Sequence, residues 1–563
     1  MNNSLTTKTK QLVDDLKSIC ANHGLGNDGH EYRIITEVFL YKFMNDKFFY
    51  EVRCVDGYAD MTEEKLKAMS DDDYDMLLLM LPPPVARLNR EHYLSNLFNS
   101  QTGEQFAKLF DDTMISLAAL NAEIFSVGTA GGERVRLFGG ISNYITEESK
   151  RDGFCKAIIN KLFECNFSES GIFFEEKYDF FATIFEYLIK DYNKDGGGKY
   201  AEYYTPHAVA RIISEILVQG EVTNALCYDP GAGTGSLLMS LAHQIGEDRC
   251  TIYSQDISQK SSTLLRLNLI LNNLSHSLPN VVQGNTMTEP FHMRQRETKN
   301  GFDYIVSNPP FKLDFSEWRD RVDATQQAVQ EGETEEVRKY NARFFAGVPN
   351  IPNKDKDKMA IYLLFIQHII SSLNKNGKAA VVVPTGFLTE GKGKKTNIAN
   401  KIRMELVNKG WLRAVVSMPS NIFATTGTNV SIIFIDKGNK SGNVVLVDAS
   451  ELGMKIKEGK NQKTLLSRIE EQHVIDTVNT QNNESGFSIV KSFDEIKQNG
   501  YTFNPGTYFD VEIEYVDLTV EEFAKKMNDS EVRLAKMFEE SVILDKDILK
   551  MLSSLVFKEV HND

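Results

Sequence analysis

Apolar positions fall into distinct textures along the chain. Leu12, Leu16 and Ile19, and then Ile34, Ile35, Val38 and Phe39, recur at the spacing that lines one face of a helix. Residues 1–170 therefore read as a mostly helical domain, broken at Leu81-Pro82-Pro83-Pro84 and at the pairs Gly131-Gly132 and Gly139-Gly140. Tyr178–Tyr192 predicts a further helix. The run Gly196-Gly197-Gly198 after it is either a hinge or a plain surface turn, since glycine costs the most entropy to order.

From residue 200 the pattern changes. Short apolar runs appear at Ala225–Tyr228, Thr251–Ser254, Tyr304–Val306, Ala379–Val383, Ala414–Val416, Ser431–Ile435 and Val444–Val447. Helical patterns such as Thr263–Leu274 and Ala360–Leu373 lie between them. Strands alternating with helices predict an α/β domain with a mostly parallel, doubly wound sheet over residues 171–510. Lys312–Lys358 is charged, with little strand character, and reads as an insertion. Residues 511–563 read as a helical tail whose helix starts at Thr519, with Glu522 completing a capping box.

Composition narrows the class. A 563-residue chain can bury a large core, and 42% hydrophobic with 25% charged residues is ordinary for a folded globular protein. No apolar stretch reaches the ~20 residues of a membrane span. The opening MNNSLTTKTKQLVDDLK has no signal-peptide core, so a cytoplasmic protein without membrane contact is expected. Cys20, Cys54, Cys155, Cys165, Cys227 and Cys250 are scattered without a CxxC pair, which argues against disulfides and zinc. All six read as buried or half-buried thiols, and no metal is expected. The net charge of −15 is awkward for a nucleic-acid protein, because phosphate contact favours a basic surface. A local basic cleft or a partner carrying the contact would resolve it.

Two motifs carry candidate chemistry. After the first strand comes Asp229-Pro230-Gly231-Ala232-Gly233-Thr234-Gly235-Ser236, running into an apolar helix. Its glycines let the backbone approach a ligand, and the helix start offers free N–H groups. The next strand ends at Asp256, where doubly wound sites place an acidic residue on ribose hydroxyls. Two strands on stands Ser307-Asn308-Pro309-Pro310-Phe311. Each proline fixes its own φ and restricts the residue before it, so the loop holds the Asn308 amide and the Pro309 carbonyl rigidly at the strand end. Two acceptors in fixed positions suit the two N–H bonds of a planar amine, with Phe311 as a stacking surface. Thr205-Pro206 looks like a helix start, and Tyr203 and Tyr204 before it could close over a ligand.

Taken together, AEYYTPHAVARII, DPGAGTGSLL, SQD and SNPPF resemble, in that order, the modification subunit of type I restriction–modification systems. EYRIITEVFLYKFMNDKF, VVVPTGFL, MPSNIFATTGTNVSIIFIDK, VLVDASELG and GYTFNPGTYFD extend the resemblance over nearly the whole chain. It implies a Rossmann-like fold and transfer of a methyl group from S-adenosylmethionine to N6 of adenine in double-stranded DNA. It further implies that Tyr204 and Thr205, with Glu202, Tyr203 and Pro206, meet the cofactor. Asp229, Gly231, Gly233, Thr234 and Gly235 would line it, and Asp256 would hold its ribose. Asn308, Pro309, Pro310 and Phe311 would form the target-amine site. Asp256 stands where the family commonly has Glu, and Asn285 stands in Gly284-Asn285-Thr286 where Gly-Asp-Thr is usual. A separate specificity subunit, shared by two modification subunits, is the implied partner, and a restriction subunit is left open. The C-terminal helix would dock on the specificity subunit, unless it is a solvated tail. Lys392, Lys394, Lys395, Lys401 and Arg403 form a candidate phosphate-contacting cluster. A methyltransferase acting on cytosine N4 or protein glutamine, and a non-catalytic scaffold of the same fold, are the competing readings.

Overall fold

The computed structural model describes residues 3–26, 29–83, 85–122, 127–128, 134–135, 138–165, 167, 205–294, 300–323, 340–423, 429–458, 461–509 and 519–553. The chain forms two compact units, Met1–Phe509 and Asp510–Asp563.

Helices build the first part of the larger unit. Asn3–Asn22 buries Leu12 and Leu16, and Gly29–Cys54 buries Ile34, Ile35, Val38 and Phe39, as their spacing predicts. Gly29–Cys54 also buries polar side chains, each with a partner. Lys42 pairs with Asp46 at 3.0 Å, Asp46 accepts from the Phe167 N–H at 2.9 Å, and Asn45 accepts from the Leu94 N–H at 3.0 Å. Burial without such partners would cost several kcal/mol per charge. Lys47 of the same helix donates to the Asn273 side chain, which follows a helix of the α/β region. One apolar cluster runs from Leu12 through the helices to Val478, so the helical region and one face of the sheet share a core.

The α/β region holds nine strands in one sheet among the described residues. They are β1 Ala225–Asp229, β2 Cys250–Asp256, β3 Val281–Gln283, β4 Phe302–Ser307, β5 Leu373–Pro384, β6 Leu412–Ser417, β7 Val430–Asp436, β8 Asn443–Asp448 and β9 Ser488–Ser492. Their order is β9-β8-β6-β7-β5-β4-β1-β2-β3. The pairs β1/β2, β1/β4, β2/β3, β4/β5 and β6/β8 are parallel. β7 runs antiparallel between β5 and β6, and β9 runs antiparallel to β8. The seven expected strands all form, within a mostly parallel sheet flanked by helices. This is the α/β, Rossmann-like class, with a helical N-terminal region and a C-terminal helix. Chain order reverses between β1 and β4, and such a switch point opens a crevice at the carboxyl ends of the strands.

The helix expected to Leu274 ends at Leu271, because Asn273 adopts a left-handed φ of +61°. The capping box at Thr519 forms: Thr519 N–H and hydroxyl both donate to the Glu522 carboxylate at 3.0 Å. All six cysteines are free, but Cys54 is exposed, correcting its reading as a buried or half-buried thiol. Tyr178–Tyr192 and Gly196–Gly198 lie outside the described residues.

Candidate active site

The carboxyl ends of β1, β2 and β4 surround a cleft. Asp229 closes β1 with 2% of its surface exposed. Its Oδ1 accepts from the Gly231 N–H at 3.0 Å and the Ser307 hydroxyl at 2.9 Å, so one carboxylate ties the glycine turn to the end of β4. Burial pushes its pKa up to about 7; the two hydrogen bonds oppose the shift, and the charge of Asp256 adds to it. Asp256 closes β2. Its Oδ2 accepts from the Gly233 N–H at 2.9 Å and its Oδ1 from the Ser258 N–H at 2.8 Å. Burial raises its pKa too, against those two N–H groups. No cationic side chain among the described residues acts on either carboxylate.

The glycines divide the labour of the turn. A Cβ on Gly231 would stand 3.1 Å from the Phe365 ring across the cleft. Gly235 adopts a φ of +84°, and a Cβ there would fall 2.1 Å from a Leu265 methyl. Only glycine fits that backbone and that approach. The turn is further held by Asn268, whose amide donates to the Thr234 carbonyl at 2.9 Å, and by Thr286, whose hydroxyl donates to the Pro230 carbonyl at 2.6 Å. The Asn285 side-chain oxygen accepts from the Met287 N–H at 3.0 Å, a local turn that leaves its NH₂ as the group able to face a ligand.

Asn308 follows β4, half-buried, and its amide donates to the Thr205 hydroxyl at 3.3 Å. That contact turns the NH₂ toward Thr205 and leaves Oδ1 as a free acceptor.

Of the residues expected at the site, the structure brings Thr205, Asp229, Gly231, Asp256, Asn285, Asn308 and Pro310 onto the wall of one cleft. Pro206 precedes the helix His207–Leu217 as its N-cap, and Gly233, Thr234 and Gly235 lie behind the wall. Pro309 is buried, and Phe311 is half-buried with its ring edge-on to Tyr362 at 6.4 Å. Glu202, Tyr203 and Tyr204 lie outside the described residues.

Sequence reasoning missed the apolar wall: Ile257, Met287, Leu313, Trp318, Ile361 and Phe365. Leu313 and Trp318 belong to the charged insertion, whose Phe315, Val322 and Phe344 form a small core together with Met287, Ile361, Leu364 and Phe365. Phe315, Trp318 and Val322 recur at helical spacing, the signal that the high charge masked. Arg403 corrects another expectation. It is fully buried, with its guanidinium donating to the carbonyls of Phe387, Glu390 and Tyr501 and to the Asn400 side chain. Four of its five N–H donors are engaged inside the protein and none of its surface is exposed, so phosphate has no access to it.

A sheet of this order, with a glycine turn after β1, an acid after β2 and Asn-Pro-Pro after β4, matches a known family. The N-6 DNA methylase family matches residues 176–515, or 340 of 563. The chain belongs to that family. It is similar to the type I restriction enzyme MpnII methylase subunit of Mycoplasma pneumoniae, 27% identical over 350 residues, covering 61% of this chain and 59% of that protein. It is also similar to the MjaIX methylase subunit of Methanocaldococcus jannaschii, 25% identical over 416 residues, covering 71% and 67%. Among solved structures, the type I restriction-modification methyltransferase subunit from Streptococcus thermophilus shares the fold, with a TM-score of 0.65 at 18% identity over 90% of this chain and all of that one. The expected resemblance to type I modification subunits is therefore found.

Proposed function

We propose that this chain transfers a methyl group from S-adenosylmethionine to N6 of adenine in double-stranded DNA. In this reading it is the modification subunit of a type I complex whose specificity subunit reads the sequence. One observation carries the proposal: the Asn308 amide opens into the same cleft as Asp229 and Asp256. Two buried carboxylates with no cationic side chain beside them among the described residues suit a cationic ligand with ribose hydroxyls, which is the donor set S-adenosylmethionine requires. When bound, it supplies an electrophilic methyl group.

The chain's own residues then position the amine. Thr205 holds the Asn308 NH₂, so Oδ1 accepts one N–H of the amine, and the Pro309 carbonyl accepts the other. Both bonds draw the nitrogen toward tetrahedral geometry and direct its lone pair at the methyl carbon. The apolar residues Leu313, Trp318 and Phe365 keep water from the cleft. Adenine must leave the duplex to enter, with Pro310 and Phe311 as its platform. Glu202, Tyr203, Tyr204 and Pro206 complete the cofactor side in this reading, with Gly233, Thr234 and Gly235 as the supporting turn. The net charge of −15 fits a division of labour in which a specificity subunit, shared by two copies of this chain, carries base contacts. A restriction subunit is a compatible further partner.

The test is methyl transfer from labelled S-adenosylmethionine to genomic DNA, with and without the specificity subunit, followed by nucleoside analysis. Label in N6-methyladenine only with both proteins present is the expected result. Asn308→Ala should abolish transfer while leaving the cofactor dissociation constant within about threefold, since its role is in positioning the amine. Label in N4-methylcytosine would reassign the substrate. Bound cofactor with no transfer under either condition would favour a scaffold.

A further inference from the structure

Beyond the cleft, a cationic hairpin stands on the same edge of the sheet, which also carries the exposed Lys392, Lys394 and Lys395 after β5. Met454–Glu458 and Asn461–Leu465 form an antiparallel hairpin. It follows β8, which runs parallel to β6, and its base is fixed to the loop after β6. Thr464 donates its N–H to the Asn421 carbonyl at 3.1 Å and its hydroxyl to the Ser420 carbonyl at 2.6 Å. Glu470 accepts from the Gly453 N–H at 2.7 Å on the other side. Both β6 and β8 run in the direction of β1 and β4, so the hairpin rises from the edge that carries Asp229 and Asn308.

Its charge is opposite to that of the chain. Four lysines against one glutamate occupy Met454–Leu465, in a protein of net charge −15. Side chains alternate along a strand, so Lys455 and Lys457 share one face, with Thr464 and Gln462 opposite them in the ladder. Both lysines are exposed, and neither is in an ion pair among the described residues. Two positions along a strand span about 6.6 Å, close to two rises of a nucleic-acid strand at ~3.4 Å each. β8 stands four strand spacings from β4, or about 19 Å at ~4.8 Å each. That distance corresponds to roughly six base pairs along a duplex whose target base sits at Asn308.

We propose that this hairpin grips the phosphate backbone of the duplex, a few base pairs from the methylated adenine, through Lys455 and Lys457. The inference rests on the proposed DNA substrate. Phosphate contact of this kind sets register and affinity without reading bases. It also gives an acidic subunit its own hold on DNA, a role that buried Arg403 is unable to fill.

The test is duplex binding by the full chain together with its specificity subunit, measured from low to physiological salt for the wild type and for Lys455→Ala/Lys457→Ala. Each lost phosphate contact should reduce the slope of log affinity on log salt by about 0.9, so the double variant should lose roughly 1–2 units of slope. Affinity should fall about equally for specific and unrelated duplexes, with the cofactor dissociation constant unchanged. An unchanged slope in a complex that still methylates DNA would overturn the hairpin contact and leave the enzyme reading intact. Loss of assembly with the specificity subunit at unchanged slope would overturn it in favour of a protein partner. A wild-type complex that neither binds nor methylates DNA would overturn both.

Discussion

In the proposed site, Asp229 is a single carboxylate that trades stability for ligand binding. Its pKa of about 7, against an ordinary 3.8, means that the folded chain favours the protonated acid. That preference stabilises the fold fully below pH ~4, and the contribution is lost as pH rises towards 7, at about 1.4 kcal/mol per pH unit. A cationic cofactor reverses the preference by favouring the carboxylate. Wild-type affinity for S-adenosylmethionine should therefore be about tenfold weaker at pH 6 than at pH 8, measured by calorimetry. Asp229→Asn should weaken binding at both pH values and flatten the dependence. The same variant without ligand should melt higher than wild type at pH 8, and by a smaller margin at pH 5. A pH-independent wild-type affinity would refute the role given to this carboxylate. Asp229 was legible in the sequence because it ends a strand just before a glycine turn, and Asp256 because it ends the next strand, where a doubly wound sheet places an acid at its crevice. Arg403 was not legible: next to exposed lysines its charge suggested a surface, while its actual partners are carbonyls brought together only by the fold. Arg403→Met should leave the carbonyls of Phe387, Glu390 and Tyr501 without that clamp, at a cost of about 1–3 kcal/mol for each acceptor left unsatisfied, read by denaturant titration. It should leave the salt slope of DNA binding unchanged.

At the scale of elements, strands buried on both faces were the easiest to read, since their apolar runs have no other explanation. β3 covers only Val281–Gln283, and β9 lies at the sheet edge with mixed residues, so neither gives a periodic signal. The glycine turn was recognisable, but its two functions were not separable by sequence, because Phe365 and Leu265 approach it from distant positions. Gly231→Ala and Gly235→Ala should separate them. The first places a Cβ on the cleft wall, and the expected result is weaker cofactor binding with a melting temperature within about 2 °C of wild type, since the backbone there is ordinary. The second forces a side chain into a left-handed φ and onto Leu265, and should cost roughly 2–4 kcal/mol whether or not ligand is present. Equal destabilisation by both would show that the cleft and the packing beneath it are not independent.

At the scale of the whole molecule, the separate C-terminal unit poses a question its own residues answer. The helix Val520–Ser553 has 34 residues and so spans about 51 Å. Val520, Phe523, Met527, Ser530, Leu534, Met537, Ser541, Leu544, Ile548 and Met551 are spaced alternately three and four apart, the repeat of a coiled-coil seam. Phe523 is 56% exposed, Leu534 55% and Leu544 64%, so the seam is open. A helix of this length with an open apolar seam gains most of its stability from packing against another helix. The two serines weaken the seam, which suits a reversible partner better than a permanent core. In the proposed complex that partner is the specificity subunit. Leu534→Glu/Leu544→Glu keeps helix propensity while placing two charges in the seam, and should abolish co-elution with the specificity subunit on size exclusion. Cofactor affinity should not change, because the cleft lies wholly within Met1–Phe509. DNA methylation should then fall to the level of the chain alone, since in the proposed complex the specificity subunit reads the sequence. Assembly that survives both charges would place the subunit contact elsewhere. A variant that loses self-association instead would make a second copy of this chain the occupant of the seam.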